Sequence, residues 1–329
     1  MTAPDPLLFA LDGATTLGPA VAREMGIDCA PLELRVFTDG EHKLRPLRSV
    51  AGASVVVLQQ LHADARASLN DRLVQTLFFV STLKDAGASR VTLAVPYLPY
   101  ARKDRRTKPQ DPLSLRYLAQ WIEVSGCDAV LCVEAHNLAA AQNAFRVRFE
   151  ALAMTPLWVR WLGDQCDGPL TLVAPDVGGM KRVDALARAL GRRRSGPVTT
   201  ALVEKRRSGG KLSGTRLLGE VCGTAVVVDD MLASGATMVR AAEAALAAGA
   251  DRVWALATHG LFTGDAPLLL ERAPIDRVLV TNSLPLERLK GSPIARRVEV
   301  VDLAPDVAAA AVRLSLGSGV DALGIDSED

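Results

Sequence analysis

Short apolar runs alternate with amphipathic stretches along the chain. The apolar runs are rich in valine and leucine, and runs of about four to eight such residues are typical of buried strands. The stretches between them repeat apolar residues at helical spacing. Since strands that alternate with helices form parallel sheets covered on both faces, the pattern predicts an α/β fold. The predicted strands are Leu7–Leu11, Leu32–Phe37, Ser54–Leu58, Val91–Val95, Asp128–Val133, Leu170–Ala174, Val198–Val203, Ala225–Val228, Arg252–Ala257, Arg277–Val280 and Arg297–Val301. The predicted helices are Asn70–Asp85, Pro112–Val124, Lys181–Leu190, Ala236–Ala248 and Ala304–Leu314.

The composition indicates two globular domains in a reducing compartment. The chain has 329 residues, of which 49% are hydrophobic, and this length is comfortable for two domains. The formal net charge of +1 gives no overall field for nucleic acid or an anionic membrane. No apolar run approaches the roughly 18–20 residues of a membrane span, and the N-terminal segment lacks the basic region of a secretion signal. The five cysteines have no metal-site spacing. We therefore expect a soluble, cytoplasmic protein that binds neither nucleic acid nor membrane.

The segment VVVDDMLASGAT, residues 226–237, carries the strongest chemical signal. Asp229 and Asp230 follow a buried strand at its carboxyl end, where open α/β sheets bind their ligands. A loop of small residues then opens a helix, and unpaired N–H groups at a helix N-terminus bind phosphate. Two carboxylates beside such a loop suit the hydroxyls and the phosphate of a sugar phosphate. The alternative is a capped helix with two solvated aspartates. The loop residues are Ala233, Ser234, Gly235, Ala236 and Thr237.

Two further strand ends carry groups suited to polyphosphate. In VTLAVPYLPYARKDRR, a strand delivers Arg102, Lys103 and two further arginines to its carboxyl end, and arginine binds phosphate through two parallel hydrogen bonds. In APDVGGMKRVDALA, Asp176 is a candidate magnesium ligand, while Gly178 and Gly179 let backbone N–H groups approach a phosphate. The alternatives are a solvated basic loop and an ordinary turn.

Three shorter segments complete the candidate chemistry. In VEKRRSGGKLSG, Lys205 and Arg207 precede a glycine-rich stretch, as expected of a basic clamp on a mobile loop or of a plain surface loop. In FTDGE, residues 37–41, an aromatic ring and two acids suit adenine, although Asp-Gly after a strand is also an ordinary turn. His136 in CVEAHN follows a strand and is a candidate metal ligand or a structural histidine.

Taken in their order along the chain, the segments resemble the motifs of the ribose-phosphate diphosphokinases (phosphoribosyl diphosphate synthases) over nearly the whole chain. The family patterns are FxDGE, PYxxYARQDR, DLHAxQ, PDxGGxxRA and DDxxDTxGT. The resemblance implies two similar phosphoribosyltransferase-like domains, each a mainly parallel sheet flanked by helices. It implies a first domain over 1–151, which holds ATP-binding elements and subunit contacts, and a second over 152–303. The last helix, 304–316, is expected to pack on the first domain.

The resemblance also implies a reaction and a role for each candidate residue. The enzyme would transfer the diphosphoryl group of MgATP to the C1 hydroxyl of ribose 5-phosphate, with Mg²⁺ as cofactor, in a homo-oligomer of two to six subunits. Its adenine element would come from a neighbouring subunit. The implied ATP-binding residues are Phe37, Asp39, Glu41, Arg102, Lys103 and Asp104, and the implied metal ligands are His136 and Asp176. The implied diphosphate loop is Asp176, Gly178 and Gly179, and the implied catalytic residues are Lys205 and Arg207. The implied ribose-5-phosphate site is Asp229, Asp230, Ala233, Ser234, Gly235, Ala236 and Thr237.

The chain departs from the family patterns at several positions. Lys103 replaces a glutamine, Glu134 replaces an aspartate, Asn137 follows the histidine, and Ala233 replaces an acid. The last departure leaves the subclass open, together with phosphate activation and ADP inhibition. Two other functions stay open: a type I phosphoribosyltransferase, and a non-catalytic family member that binds nucleotide and regulates a partner. The FTDGE element and the ARKDRR cluster argue against the first. The retained basic and metal-ligand candidates argue against the second.

Overall fold

The computed structural model describes residues 6–208 and 211–317, with side chains except at 205–208 and 211–215. The described chain divides into two compact units. Unit 1 comprises 6–153, Ser283–Pro285 and 303–317, and unit 2 comprises Met154–Asn282 and Leu286–Asp302. Among the described residues, no helix is both long and apolar enough to cross a membrane.

The strands follow the apolar runs of the sequence. In both units the central strands are almost completely buried, since helices cover both faces of each sheet. The strands are β1 (Leu7–Ala10), β2 (Leu32–Val36), β3 (His42–Pro46), β4 (Ser54–Leu58), β5 (Arg90–Ala94), β6 (Ala129–Val133), β7 (Arg148–Leu152), β8 (Leu170–Ala174), β9 (Val198–Ser208), β10 (Lys211–Leu218), β11 (Thr224–Leu232), β12 (Arg252–Gly260), β13 (Arg277–Thr281) and β14 (Val298–Val301).

The helices lie between the strands and present one apolar stripe to a sheet. The longest begins with a capping box, in which the Ser68 hydroxyl accepts from the Asp71 N–H and the Asp71 carboxylate accepts from the Ser68 N–H. The helices are α1 (Leu17–Glu24), α2 (Leu69–Asp85), α3 (Ser114–Val124), α4 (Leu138–Ala144), α5 (Thr155–Gln165), α6 (Met180–Arg193), α7 (Ala236–Ala247), α8 (Ala266–Arg272) and α9 (Ala304–Ser315).

The sheet of unit 1 has five parallel strands in the order β1-β4-β5-β6-β7. Strands β2 and β3 form a separate antiparallel hairpin. Helix α9 belongs to this unit, where the Ser54 hydroxyl and the Arg90 guanidinium donate to the carbonyl oxygens of Ser315 and Leu314. The last helix is therefore hydrogen-bonded to the amino-terminal ends of β4 and β5.

The sheet of unit 2 has seven strands in the order β10-β9-β8-β11-β12-β13-β14. All neighbours are parallel except β9 and β10, which are antiparallel. The predicted α/β class, with mainly parallel sheets flanked by helices, is confirmed. The segment 203–214, which was predicted to be a loop, lies largely in the strands β9 and β10. Pairing of β9 with β10 makes strand of the residues on either side, while Gly209 and Gly210 lie outside the described residues.

A buried arginine lies in the core of unit 1. Arg72 on α2 is 1% exposed, and its guanidinium donates to the Asp64 carboxylate at 2.7 Å and to the His62 carbonyl at 2.8 Å. The Asp12 carboxylate lies 3.6 Å from Nη2 of Arg72, the nitrogen that donates to Asp64. Burial raises the pKa of Asp64, but hydrogen bonds from Arg72 and from two backbone N–H groups outweigh burial and hold this pKa well below its usual range. Arg72, Asp64 and Asp12 therefore form an ion-pair cluster between α2 and the loops that follow β1 and β4.

Candidate active site

The two candidate ribose acids lie inside a strand. β11 continues through Asp229 and Asp230 to Leu232, so it is longer than the predicted run Ala225–Val228. Both acids project near the carboxyl end of the sheet, where Asp230 is 3% exposed. The Asp229 carboxylate accepts the N–H of Asp230 at 2.9 Å, which fixes its orientation.

The pKa of Asp229 is raised to about 7. Burial is the largest cause, and the negative charge of Asp230 is the next. Arg182 acts in the opposite direction, since its guanidinium lies 3.5 Å from an oxygen of Asp229 and 3.6 Å from an oxygen of Asp230. The two adjacent acids, Asp229 and Asp230, therefore share the positive charge of Arg182.

The loop after β11 forms a candidate phosphate site. Gly235 adopts a left-handed backbone, with φ of 76°, and begins α7, a helix of 12 residues. Ala233 is held by a hydrogen bond from the Thr263 N–H to its carbonyl at 3.0 Å, while Ser234 is exposed. Ala236 and Thr237 form the first turn of α7, so their N–H groups have no partner of their own within the helix. This arrangement is suited to a phosphate.

The candidate diphosphate loop lies beside the ribose acids. Strands β8 and β11 are hydrogen-bonded neighbours with Val173 opposite Val227, so the loops that follow them share one edge of the sheet. Asp176 is exposed and caps the short 3₁₀ helix Val177–Gly179, accepting from the Gly179 N–H at 3.3 Å. A Cβ atom on Gly178 would lie 3.2 Å from the Asp176 carboxylate. A side chain at Gly178 would therefore crowd the candidate metal ligand.

The candidate catalytic residues Lys205 and Arg207 lie on β9, the strand that pairs with β8 on the side away from β11. Leu202 of β9 pairs with Ala174, the last residue of β8, and β9 then continues to Ser208. Lys205 and Arg207 lie on this extension, opposite Thr215 and Leu212 of β10. The side chains of Lys205 and Arg207 lie outside the described part of the structure. Their backbone positions lie past the carboxyl end of β8, next to the strand that leads into the diphosphate loop.

Unit 1 brings two of the candidate nucleotide segments together. Arg102, Lys103 and Asp104 follow β5, while His136 follows the neighbouring strand β6. The Asn137 amide donates to the Asp104 carboxylate at 2.7 Å and joins the two loops. Arg102, Lys103 and His136 are exposed at this edge.

The backbone on either side of these loops is unusual. Tyr100 and Glu134 have positive φ angles of 60° and 39°, although neither is glycine. The Tyr100 hydroxyl donates to the Asn70 side chain, and the Glu134 N–H donates to the Leu152 carbonyl at 2.9 Å. Strained conformations of this kind cluster at functional sites, where the surrounding structure fixes them.

The candidate adenine element is the tip of the β2–β3 hairpin. The Phe37 N–H donates to the Glu41 carbonyl at 2.7 Å, and Asp39 accepts from the Glu41 N–H at 3.1 Å. Phe37 is 37% exposed, and the guanidinium carbon of Arg35 lies 4.9 Å from its ring centre. Among the described residues, no hydrogen bond or ion pair joins this tip to the Arg102–Asp104 segment.

Two polar residues of the site had no assigned role in the sequence analysis. Arg182 is the arginine of the PDxGGxxRA pattern, and the motif itself was the signal that marked it. Asn137 stands at a departure from the family pattern, so no motif pointed to its contact with Asp104. Both contacts join segments that are distant in sequence.

Comparison with known proteins identifies the relatives of the chain. The model for the N-terminal domain of ribose phosphate pyrophosphokinase matches residues 7–126, and the model for the phosphoribosyl synthetase-associated domain matches residues 201–321. Ribose-phosphate pyrophosphokinase is a synonym of the diphosphokinase named above. The protein of this name from Ureaplasma parvum serovar 3 is 32% identical over 323 residues, which cover 96% of this chain and 93% of the relative. Its counterpart from Vibrio parahaemolyticus serotype O3:K6 is 32% identical over 324 residues, which cover 97% and 99%.

A solved structure agrees with these relatives. The crystal structure of phosphoribosylpyrophosphate synthetase from Mycobacterium smegmatis superposes with a TM-score of 0.84 at 28% identity, over 96% of this chain and 100% of that one. The match extends over both units, as do the sequence relatives, so the resemblance predicted from the motifs is confirmed. The chain belongs to the ribose-phosphate pyrophosphokinase family.

Proposed function

We propose that the protein transfers the β,γ-diphosphoryl group of MgATP to the C1 hydroxyl of ribose 5-phosphate, giving 5-phosphoribosyl 1-diphosphate and AMP. The observation that carries this proposal is the shared edge of β8 and β11. The ribose acids lie in the last part of β11, the N-terminus of α7 follows that strand, and the diphosphate loop follows β8. Family membership supports the same reaction.

Ribose 5-phosphate would bind along the end of β11. The 5-phosphate would accept hydrogen bonds from the N–H groups of 234–237, where the positive end of the α7 dipole adds a favourable field. Asp229 and Asp230 would accept hydrogen bonds from the ribose hydroxyls. Both acids are fixed before substrate arrives, Asp229 by the Asp230 N–H and both by Arg182, so little ordering is needed on binding.

The residues present are suited to magnesium bound together with substrate. Among the described residues, no group of three or more His, Cys, Asp or Glu side chains is arranged to hold a metal by itself. Mg²⁺ is commonly held by one or two carboxylates together with substrate phosphates, and the exposed carboxylate of Asp176 fits this mode. We propose Asp176 of unit 2 and His136 of unit 1 as candidate ligands, each on the motif in which it stands. When bound, Mg²⁺ would neutralise phosphate charge and orient the phosphates.

The transfer is an in-line substitution at phosphorus. The oxygen of the C1 hydroxyl attacks the β-phosphorus and its proton is released to solvent, the bond from this phosphorus to the α,β-bridging oxygen breaks, and AMP leaves with that oxygen. Charge builds up on the phosphoryl oxygens, and cations held in place stabilise it. Lys205 and Arg207, on the extension of β9 beside the diphosphate loop, are the residues assigned to this task.

ATP would be recognised by elements of unit 1. Arg102, Lys103 and Asp104 would contact the nucleotide from the loop that Asn137 anchors. Phe37, Asp39 and Glu41 would read adenine from the tip of a hairpin, and the exposed Phe37 ring supports a role toward a neighbouring subunit. We therefore propose a homo-oligomer of two to six subunits that acts in the cytoplasm.

The test is an assay of the purified protein with ribose 5-phosphate and MgATP. AMP should form in step with phosphoribosyl diphosphate, and only with a divalent metal present. A variant with Asp229→Asn and Asp230→Asn should form neither product. Formation of ADP in place of AMP, or no nucleotide turnover with any pentose phosphate, would reject the proposed reaction.

A further inference from the structure

Arg182 is placed between the two loops of the proposed reaction. It lies in the first turn of α6, directly after the diphosphate loop, and its guanidinium reaches both ribose acids on β11. Its side chain is 20% exposed, so most of it is withdrawn from solvent. One side chain thus contacts the carboxylates of Asp229 and Asp230 from the helix that begins at the diphosphate loop.

The distances make the guanidinium an ion-pair partner of both acids. Its nitrogens lie 3.5 Å from a carboxylate oxygen of Asp229 and 3.6 Å from one of Asp230. The positive charge of Arg182 therefore lowers the repulsion between the two adjacent carboxylates.

Resting on the proposed function, we propose that Arg182 is a positioning residue, which holds Asp229 and Asp230 ready for the ribose hydroxyls and ties them to the diphosphate loop. The two acids are adjacent and largely buried, and like charges so close repel strongly unless a cation lies beside them. The cation on α6 supplies this charge before substrate binds. Its loss would weaken the ribose site first and the ATP site much less.

Arg182→Gln tests this role, because glutamine keeps a polar side chain and removes the charge. We expect KM for ribose 5-phosphate to rise on the order of tenfold to a hundredfold, the scale for breaking one partially buried ion pair. KM for MgATP should change by less than about threefold. Arg188→Gln is the matched control, since it removes the same charge from an exposed position on the same helix. The control should keep both constants.

Two further measurements separate positioning from folding. Arg182→Lys keeps the positive charge on a different head group, so KM for ribose 5-phosphate should lie between those of the wild type and Arg182→Gln. Guanidinium ion added to Arg182→Ala should restore part of the affinity for ribose 5-phosphate, an effect that a general folding defect would not produce. If Arg182→Gln fails to fold, the lysine variant and the guanidinium rescue decide the question.

The outcomes distinguish this inference from the proposed function. A wild-type protein that forms no AMP rejects the proposed function itself. An active wild type, together with an Arg182→Gln variant whose KM for ribose 5-phosphate is unchanged, overturns the positioning role alone. An equal rise in KM for both substrates, or no guanidinium rescue in a folded Arg182→Ala variant, also overturns it.

Discussion

Replacing Asp229 by asparagine should make the substrate-free protein more stable at pH 8. The pKa of Asp229 is raised to about 7, against 3.8 for an unperturbed aspartate, because burial and the adjacent Asp230 both disfavour its charged form. Asparagine has the shape of the protonated acid and can still accept the Asp230 N–H. The substitution therefore removes a buried negative charge and keeps the local hydrogen bond.

The magnitude follows from the difference in pKa. About three pKa units at roughly 1.4 kcal/mol each give an upper bound of about 4 kcal/mol in the free energy of unfolding. Part of this gain is lost with the ion pair to Arg182, so we expect about 2–4 kcal/mol. For a unit of this size, such a change corresponds to a rise on the order of 5–10 °C in the unfolding temperature.

The sign of the effect sets its pH dependence. Because the pKa of Asp229 is higher in the folded than in the unfolded protein, the folded wild type holds a proton that the unfolded chain has lost between about pH 4 and pH 7. The wild type therefore loses stability as pH rises through this window, whereas the asparagine variant does not. The advantage of Asp229→Asn should be small at pH 4, grow up to pH 7 and stay constant above it.

The assay is thermal unfolding of both proteins without ligand at pH 4 and pH 8. Asp251→Asn is the control, since Asp251 is exposed in the same unit and its loss removes the same charge. The control should unfold within about 1 °C of the wild type, as is usual for surface substitutions. Equal stability of Asp229→Asn and the wild type at pH 8, or the same gain at both pH values, would refute the reasoning.

Three other predictions address the clamp, the core and the assembly. Lys205→Ala should lower kcat by roughly a hundredfold with a smaller change in ATP affinity, since its charge would act on the transition state; steady-state kinetics with kcat near the wild-type value would contradict this. Arg72→Met should lower the free energy of unfolding by about 3–5 kcal/mol, because it leaves two partly buried acids without their buried cation; Arg72→Lys should lower it less, and an unchanged urea midpoint would contradict this. Mixing an inactive Phe37→Ala variant with inactive Asp229→Asn should restore part of the activity if adenine is read across a subunit boundary. No recovery despite proven subunit exchange would exclude a shared site.

The central strands were predictable because their burial leaves a plain signal in the sequence. The run Val226–Val228 is completely buried, and so is most of β4, hence both are continuous apolar runs. Strand β3 was missed because HKLRP has one buried apolar residue, Leu44, between two exposed charged ones, so no apolar run marks it. Helix α4 was missed because it is short and built mainly of alanine. Elements that bury little apolar surface leave little pattern to detect.

The site was predictable as a set of motifs and not as a set of contacts. Asp176 follows β8 as predicted, Asp229 lies within β11, and β8 and β11 prove to be neighbours. The contact of Arg182 with the ribose acids depends on the register of these strands and on the path of α6, which no local pattern specifies. Likewise, the predicted end of β11 before Asp229 was too early, because the acids continue the strand.

The altered segment around His136 bears on whether the chain has kept an active site. The family pattern is lost at Glu134 and Asn137, yet the Asn137 amide bridges to Asp104 at 2.7 Å and fixes the loop that carries the candidate nucleotide cations. Glu134 has a strained, positive φ of 39° directly after β6, and Tyr100 has one of 60° in the loop after β5. Such strain costs about 1–3 kcal/mol per residue, and a chain relieved of catalytic duty would gain stability by relaxing it. The Asn137–Asp104 hydrogen bond and the positive φ angles nearby are therefore consistent with the nucleotide site proposed above.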